Sequence, residues 1–448
     1  MRRVSRRLSP PQLTVLAFAL LVLCGALLLS LPAATESGER APFATALFTS
    51  TSAASVTGLA VVDTGDYWSR LGEAVILALI QVGGFGVMAL ATVLTLFVGR
   101  HVGLRMAVRA GSEAKVLTLG EVRRITLGIL AVTLSFEAVL TAALTLRWWL
   151  GYDLPFGSAA YLGLFHAVSS FNNAGFSTFS DSLMGFAADP WITVPVTVGV
   201  VAGGLGFPVW VELWRSTRRR SERHTLSVHT RITLSVTGCL IAAGFLAFLA
   251  LEWNNPATMG GMDLRGKLLT GFFQAVMPRT AGFNSLDFGG MNTQTLLVTD
   301  ILMFIGGGSA GTAGGIKVTT FAVLLFVVLA NVRGEPTVHV GNRRLGEGVA
   351  SQAVTVVLLA LSLVLAGTLT LMTMTAFTLD EILFETTSAF ATVGLSTGIT
   401  AELPVSGQMV LAFLMFVGRI GPISLASALA LRRRARAYEL PEERPIVG

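Results

Sequence analysis

The chain has 448 residues, 53% of them hydrophobic and 13% charged, with a mean hydropathy of +0.70 and a formal net charge of +6. That balance excludes an ordinary soluble globule and reads as a polytopic membrane protein. The basic excess does not mark a nucleic-acid partner, because no soluble basic domain stands in the sequence. Cys24 and Cys239 are the two cysteines, both inside apolar runs, so neither a disulfide framework nor a cysteine metal site is expected.

A hydrocarbon core of roughly 30 Å needs about 20 apolar residues per helix. In chain order, such runs are expected near 11–32, 72–99, 124–147, 191–214, 230–252, 294–331, 350–377 and 406–431. The first follows MRRVSRRLSPP, lacks a convincing small-residue cleavage site, and reads as a retained helix. Basic residues gather at Arg2, Arg3, Arg6 and Arg7, around 100–124, around 215–231, at 333–344, and at Arg432, Arg433, Arg434, Arg436 and Arg444. These clusters fall in every second gap between spans, so the positive-inside rule places both termini and these loops in the cytoplasm.

The gaps on the opposite side align with one another. They read LFTSTSAASVTGLAVVDTG (47–65), LFHAVSSFNNAGFSTFSDS (164–182), GFFQAVMPRTAGFNSLDFG (271–289) and LFETTSAFATVGLSTGITA (383–401). In each, a phenylalanine (Phe48, Phe165, Phe272, Phe384) stands ten residues before a glycine (Gly58, Gly175, Gly282, Gly394). The glycines are spaced by 117, 107 and 112 residues, giving four similar units expected at 1–110, 111–225, 226–345 and 346–448. Each unit reads as a helix, a short re-entrant helix with a polar loop, and a second helix. The expected fold is an all-α polytopic membrane protein: eight transmembrane helices and four re-entrant pore helices around one central pore.

A short helix that enters the bilayer and ends in extended backbone leaves carbonyls unpaired at membrane depth. Protein must bury them, or a water-filled cavity must face them. Four copies about one axis make a ring of carbonyl oxygens able to replace the hydration shell of a monovalent cation. One copy alone would be a turn glycine between helices; four in one register fit a filter better. Acids follow each glycine, namely Asp63 and Asp66, Asp181, Asp287, and Glu402. They either concentrate cations in an outer vestibule or are ordinary solvated loop acids.

The sixth expected span is interrupted by GGGSAGTAGGIK, Gly306 to Lys317. Each glycine there costs a helix about 1 kcal/mol relative to alanine, so a break in mid-membrane is expected. Gly306, Gly308 and Gly311 match G-x-G-x-x-G, but no strand precedes them and nucleotide binding is not expected. Arg419, in FLMFVGRIGPIS, falls within the last span, where a guanidinium faces a cavity or a partner, or packs helices. Glu137, Glu212 and Asp300 are further intramembrane acids, each able to pair with a basic residue that the sequence does not identify. Arg279, directly before the third filter, reads as a brace for its loop, and His166 as a satisfied buried polar group. Gly83, Gly84 and Gly86, with Gly203, Gly204 and Gly206, read as sites of close helix packing.

The runs TSAASVTGLAVVDTGDYW, PRTAGFNS and ATVGLSTG resemble the pore loops of the Trk/Ktr/HKT superfamily of potassium transporters. The resemblance covers essentially the whole chain and is closest to the Ktr membrane subunit (KtrB type). It implies potassium uptake through a selectivity filter whose quarters are Val56, Thr57 and Gly58; Asn173, Ala174 and Gly175; Thr280, Ala281 and Gly282; and Thr392, Val393 and Gly394. In that family glycine at all four filter positions goes with potassium selectivity, and serine in the first goes with sodium permeation; Gly58 favours potassium. The resemblance further implies that Gly306, Gly307, Gly308, Ser309, Ala310, Gly311, Thr312, Ala313, Gly314, Gly315 and Lys317 belong to an intramembrane loop obstructing the pore beneath the filter. It places Arg419 beside that loop.

The short basic cytoplasmic segments contain no nucleotide-binding fold, so ligand sensing falls to a partner. The resemblance implies a homodimer docked on a cytoplasmic ring of nucleotide-binding subunits (KtrA-like). Candidate docking surfaces are 100–124, 215–231 and Arg432 to Gly448, which otherwise are solvated faces near lipid. Potassium is expected as the transported ion, with no covalently bound cofactor, and an activating role of sodium is left open. The leading reading is a channel-like potassium-translocating subunit in the cell membrane. The alternative is a cation symporter coupled to a sodium or proton gradient, although the inverted repeats usual there are absent. An intramembrane enzyme is disfavoured, since no H-E-x-x-H occurs.

Overall fold

The computed structural model describes residues 10–86, 119–218, 226–335, 337–340, 343–346 and 348–421. Its helices fall into four groups of like order. The first holds α1 (Pro10–Leu29), α2 (Phe43–Ser55), the single turn α3 (Thr64–Tyr67) and α4 (residues 70–86). The second holds α5 (Leu119–Gly151), α6 (Phe156–Phe171), α7 (Pro190–Leu205) and α8 (Phe207–Arg218). The third holds α9 (Val228–Glu252), α10 (Leu264–Val276), α11 (Thr293–Phe304) and α12 (Val318–Val332), and the fourth α13 (Val349–Met374), α14 (Leu379–Ala391) and α15 (Val405–Ile420). The N-terminal arginines, residues 100–118 and 219–225, and the basic tail lie outside the described residues, as do the ends of the spans expected at 72–99 and 406–431.

Among the described residues, four helices have the length and hydropathy to cross a bilayer alone: Gln12–Leu29, Arg123–Gly151, Val228–Glu252 and Val349–Met374. Their outer faces are leucine-rich, with Leu13, Leu16, Leu20 and Leu27 exposed on α1 and Leu358, Leu361, Leu365 and Leu369 exposed on α13. So large a contiguous apolar surface suits hydrocarbon rather than water. Cys24 and Cys239 are free and exposed on it.

The helices preceding the filter glycines are short. α2, α10 and α14 have 13 residues and α6 has 16. At 1.5 Å per residue they run roughly 20–24 Å and stop inside the protein. Their starts are set locally: α14 by a capping box of Thr378 and Glu381, α10 by Asp263, which accepts from the Gly266 N–H, and α2 and α6 by Pro42 and Pro155. Their C-terminal ends are buried on every side, as Ser50, Ser52, Ala53 and Ser55 show for α2.

Two expectations need correction. The span expected at 191–214 is two helices, α7 and α8, bent by 97°. Gly206 takes φ +91° at the break, which a side chain would resist, and Pro208 follows with no N–H to continue the ladder. In the third unit the buried aromatic is Phe273, whereas Phe272 is 41% exposed. Beside the helices, β1 (His339–Val340) pairs antiparallel with β2 (Arg343–Arg344) in a short hairpin.

Candidate functional site

The twelve filter residues come together where the four short helices end. The residue two places before each glycine is left-handed: Val56 (φ 57°), Asn173 (φ 60°), Thr280 (φ 67°) and Thr392 (φ 52°). Three of these are β-branched, for which such a φ is strained, and strain of this kind persists where the surroundings enforce a functional geometry. The glycines follow with φ of 97°, 70°, 74° and 91° for Gly58, Gly175, Gly282 and Gly394. A Cβ built on each would stand less than 3.0 Å from a carbonyl oxygen of the next unit: Gly58 from Ala174, Gly175 from Ala281, Gly282 from Val393, and Gly394 from Thr57. The chain of contacts closes on itself, so the four segments form one ring.

The supports are alike but unequal. Thr57, Ala174 and Val393 donate their N–H to the carbonyls of Ser52, Ser169 and Ser388, whereas Ala281 donates to Met277, a turn one residue tighter. That shorter turn accounts for Phe273 replacing Phe272 as the buried aromatic. The Ser52 and Ser388 hydroxyls accept from the N–H of Gly58 and Gly394, each at 3.1 Å, while Ser169 Oγ donates to the Phe176 carbonyl at 2.7 Å. Gly83, Gly203 and Gly418 let the flanking helices approach; a Cβ on any of them would come within 3.0 Å of the carbonyl of Ala54, Phe171 or Phe390 respectively. Gly84 packs likewise on the Asn172 side chain, whereas nothing lies within 4 Å of a Cβ on Gly86.

The stretch 306–317 departs from the helix as expected and folds against the filter. Its neck is closed by the Gly306 N–H donating to the Ile316 carbonyl (2.8 Å) and the Val318 N–H to the Gly307 carbonyl (3.0 Å). Gly308 N–H donates to the Gly204 carbonyl and Thr312 N–H to that of Gly203, so the loop docks on the α7–α8 break. Ala310, at φ 59°, offers its carbonyl to the Phe207 N–H, and Ser309 Oγ lies 2.8 Å from Thr319 Oγ1. Gly307 and Gly311 face the Gly204 carbonyl, and Gly315 (φ 60°) packs on Ala391. Thr312 Oγ1 is 2.9 Å from the Asn173 side-chain amide, Gly306 faces Thr280 Cγ2, and a Cβ on Gly314 would collide with Thr392 Oγ1. The loop thus touches the first residue of three filter segments.

Cations hold this loop. Arg419, 4% exposed, donates from Nη1 to the Thr312 carbonyl and from Nη2 to the Gly83 carbonyl at 3.0 Å. Lys317 Nζ donates to the Ala313 carbonyl. Arg279 was read as a brace for the third filter, but its Nη2 reaches Gly306 of the intramembrane loop at 3.1 Å.

Among the described residues none of the intramembrane acids Glu137, Glu212 and Asp300 forms an ion pair. Glu137 accepts from Gln81 Nε2 (3.3 Å) and Asn172 Nδ2 (3.0 Å), forming a polar cluster behind the second filter segment. Glu212 accepts from Ser227 and Thr230 at the start of α9. Asp300 is buried, and its Oδ1 has no hydrogen-bond partner among the described residues. His166 is satisfied, with Nδ1 2.9 Å from the Leu162 carbonyl and Nε2 3.0 Å from Ser177 Oγ. Among the outer acids, Asp63, Asp181 and Asp287 accept backbone N–H groups in their own turns. Glu385 escaped the sequence reading. Fully buried on α14, it accepts from the Thr397 N–H (3.1 Å), Thr400 Oγ1 (2.7 Å) and Ser396 Oγ (2.5 Å), and so holds the outer limb of the fourth filter loop. Its place one residue after Phe384, inside an apolar helix, was the available signal.

Four loop segments closing into one ring at the buried ends of short helices, set among membrane-length apolar helices, fit the class of cation-translocating membrane proteins. The chain belongs to the TrkH cation transport protein family, whose family model matches residues 14–435. It is 39% identical to Ktr system potassium uptake protein B of Bacillus subtilis (strain 168), over 95% of this chain and 94% of that protein. To the protein of the same name from Vibrio alginolyticus it is 38% identical over 98% and 95%, and to potassium/sodium uptake protein NtpJ of Enterococcus hirae 33% over 100% and 99%. Its fold matches the crystal structure of the potassium transporter TrkH from Vibrio parahaemolyticus with a TM-score of 0.72 at 20% identity, covering 96% of this chain and 87% of that one. The chain is a membrane transporter and not an enzyme.

Proposed function

We propose that this chain is the ion-translocating membrane subunit of a potassium uptake system, with channel-like permeation through the carbonyl ring and gating by the loop at 306–317. The observation that carries this is the closed circuit of contacts from Gly58 through Ala174, Ala281 and Val393 back to Thr57. The buried hydroxyls of Thr280 and Thr392, which make no hydrogen bond among the described residues, are spare ligands at the inner end of the same path. Potassium is the favoured ion because all four filter positions are glycine and two of the relatives just named are potassium uptake proteins, the third being a potassium/sodium uptake protein. The units are 1–110, 111–225, 226–345 and 346–448, with eight spans and both termini in the cytoplasm, as the alternation of basic gaps supports.

Regulation is assigned to a partner. The word "system" in the names of two relatives supports a multi-component assembly, here a homodimer on a cytoplasmic nucleotide-binding ring. The test is cation uptake by a potassium-uptake-deficient host expressing the chain with and without a ring subunit. Potassium uptake exceeding sodium uptake is expected. A chain that reaches the membrane and carries no potassium under either condition would remove the proposal.

A further inference from the structure

Arg279 stands at the junction of two parts of the pore that the sequence keeps apart. It directly precedes Thr280, the strained first residue of the third filter segment, and is 6% exposed. Its Nη2 donates to Thr237 Oγ1 on α9 (3.3 Å) and to the Gly306 carbonyl (3.1 Å). Gly306 is the neck of the intramembrane loop, the residue whose own N–H closes the loop onto Ile316. Among the described residues no carboxylate forms an ion pair with Arg279. A buried guanidinium without a counter-ion depends on the neutral acceptors around it, so the Gly306 carbonyl matters more here than it would at a surface.

We infer that Arg279 is a positioning residue that ties the neck of the intramembrane loop to the third filter segment. This rests on the gating role proposed above. Arg419 holds the loop near its tip, at Thr312, from the last helix; Arg279 holds it at the neck from the other side of the pore. A cavity the size of about one water, lined by Val200, Gly204, Thr237 and Gly307, adjoins the guanidinium, and Arg279 Nη1 has no hydrogen-bond partner among the described residues. Loss of the Gly306 contact removes the tie between the neck and the third filter segment and lets the neck shift. Such a movement pulls on the backbone at Thr280, which joins the state of the gate to the geometry of the filter.

The test compares Arg279→Met and Arg279→Lys in the full chain and in a chain lacking 307–315, all in the deficient host. Initial potassium uptake is read per amount of protein in the membrane. Deleting 307–315 alone is expected to raise the rate; if it does not, the gating reading fails and takes this inference with it. Arg279→Met in the full chain is expected to raise the rate on the order of tenfold, the ratio that about 1.4 kcal/mol represents. In the loop-deleted chain it should bring no further rise. Arg279→Lys keeps the charge on a shorter side chain whose ammonium does not extend to the position of Nη2, and should resemble Arg279→Met. A deletion that speeds uptake, combined with Arg279 variants that leave the full chain unchanged or act equally in both chains, would overturn the inference while sparing the gate. A second measurement is independent of the deletion: Ser309→Cys, with Cys24 and Cys239 replaced by serine, should react faster with an aqueous thiol reagent when Arg279 is Met. An unchanged reaction rate would also overturn it.

Discussion

Gly58 and the carbonyl of Ala174 lie so close that a Cβ on Gly58 would stand under 3.0 Å from the oxygen, with Gly58 already at φ +97°. A serine there must push on backbone of the neighbouring unit and adopt a conformation that L-residues resist. Gly58→Ser is expected to distort the ring at the junction of the first two units, leaving the helices inserted. The ratio of potassium to sodium uptake should fall. An unchanged ratio at normal expression would remove Gly58 from the filter.

Arg419 spans two contacts of different kinds, the loop at Thr312 and α4 at Gly83. A charge-assisted hydrogen bond contributes about 1.5–3 kcal/mol. Arg419→Ala should release the loop tip and remove a positive charge that opposes an approaching cation. The expected result is faster potassium uptake, on the order of tenfold, with the potassium-to-sodium ratio kept. A slower or equal rate in a folded, membrane-inserted variant would show the arginine to be a packing group.

Glu385 accepts three hydrogen bonds from residues 396–400. Glu385→Leu strands those buried donors, at a cost of about 1–3 kcal/mol for each group left unpaired. The thermal midpoint in detergent should drop, and the potassium concentration for half-maximal uptake should rise because the fourth filter loop loses its outer support. Glu385→Gln, which keeps one acceptor oxygen, should lie between the two. Equal midpoints for Leu and the parent would dismiss this support.

The helix glycines divide into two kinds that a stability series separates. A Cβ on Gly203 would strike the Phe171 carbonyl, whereas one on Gly238 meets nothing within 4 Å. Gly203→Ala should lower the thermal midpoint sharply, because α7 must withdraw from the second pore helix and from the loop docked on it. Gly238→Ala should be neutral or stabilising by up to about 1 kcal/mol, the helix preference of alanine over glycine. The reverse order would contradict the packing described for α7.

Features that obey local rules were legible from the amino-acid order. Span length against bilayer thickness, the register of Gly58, Gly175, Gly282 and Gly394, and the inability of Gly306–Gly315 to stay helical each depend on residues near in sequence. The bend at Gly206 was partly legible, since GGLGFP pairs glycines with a proline, but its angle came from docking on the 306–317 loop. The pairing of buried polar groups was decided only in three dimensions. Glu137 meets Gln81 and Asn172, Arg279 meets Gly306, and Arg419 meets Gly83 and Thr312, each across long stretches of chain. Helices that are apolar all round carry no polar stripe to set their rotation or height. Which carbonyl or amide stands opposite a buried charge is therefore fixed by how glycine contacts such as Gly83 on Ala54 and Gly203 on Phe171 let the helices settle, and by the one-residue difference in the third filter turn that moved the aromatic anchor from Phe272 to Phe273.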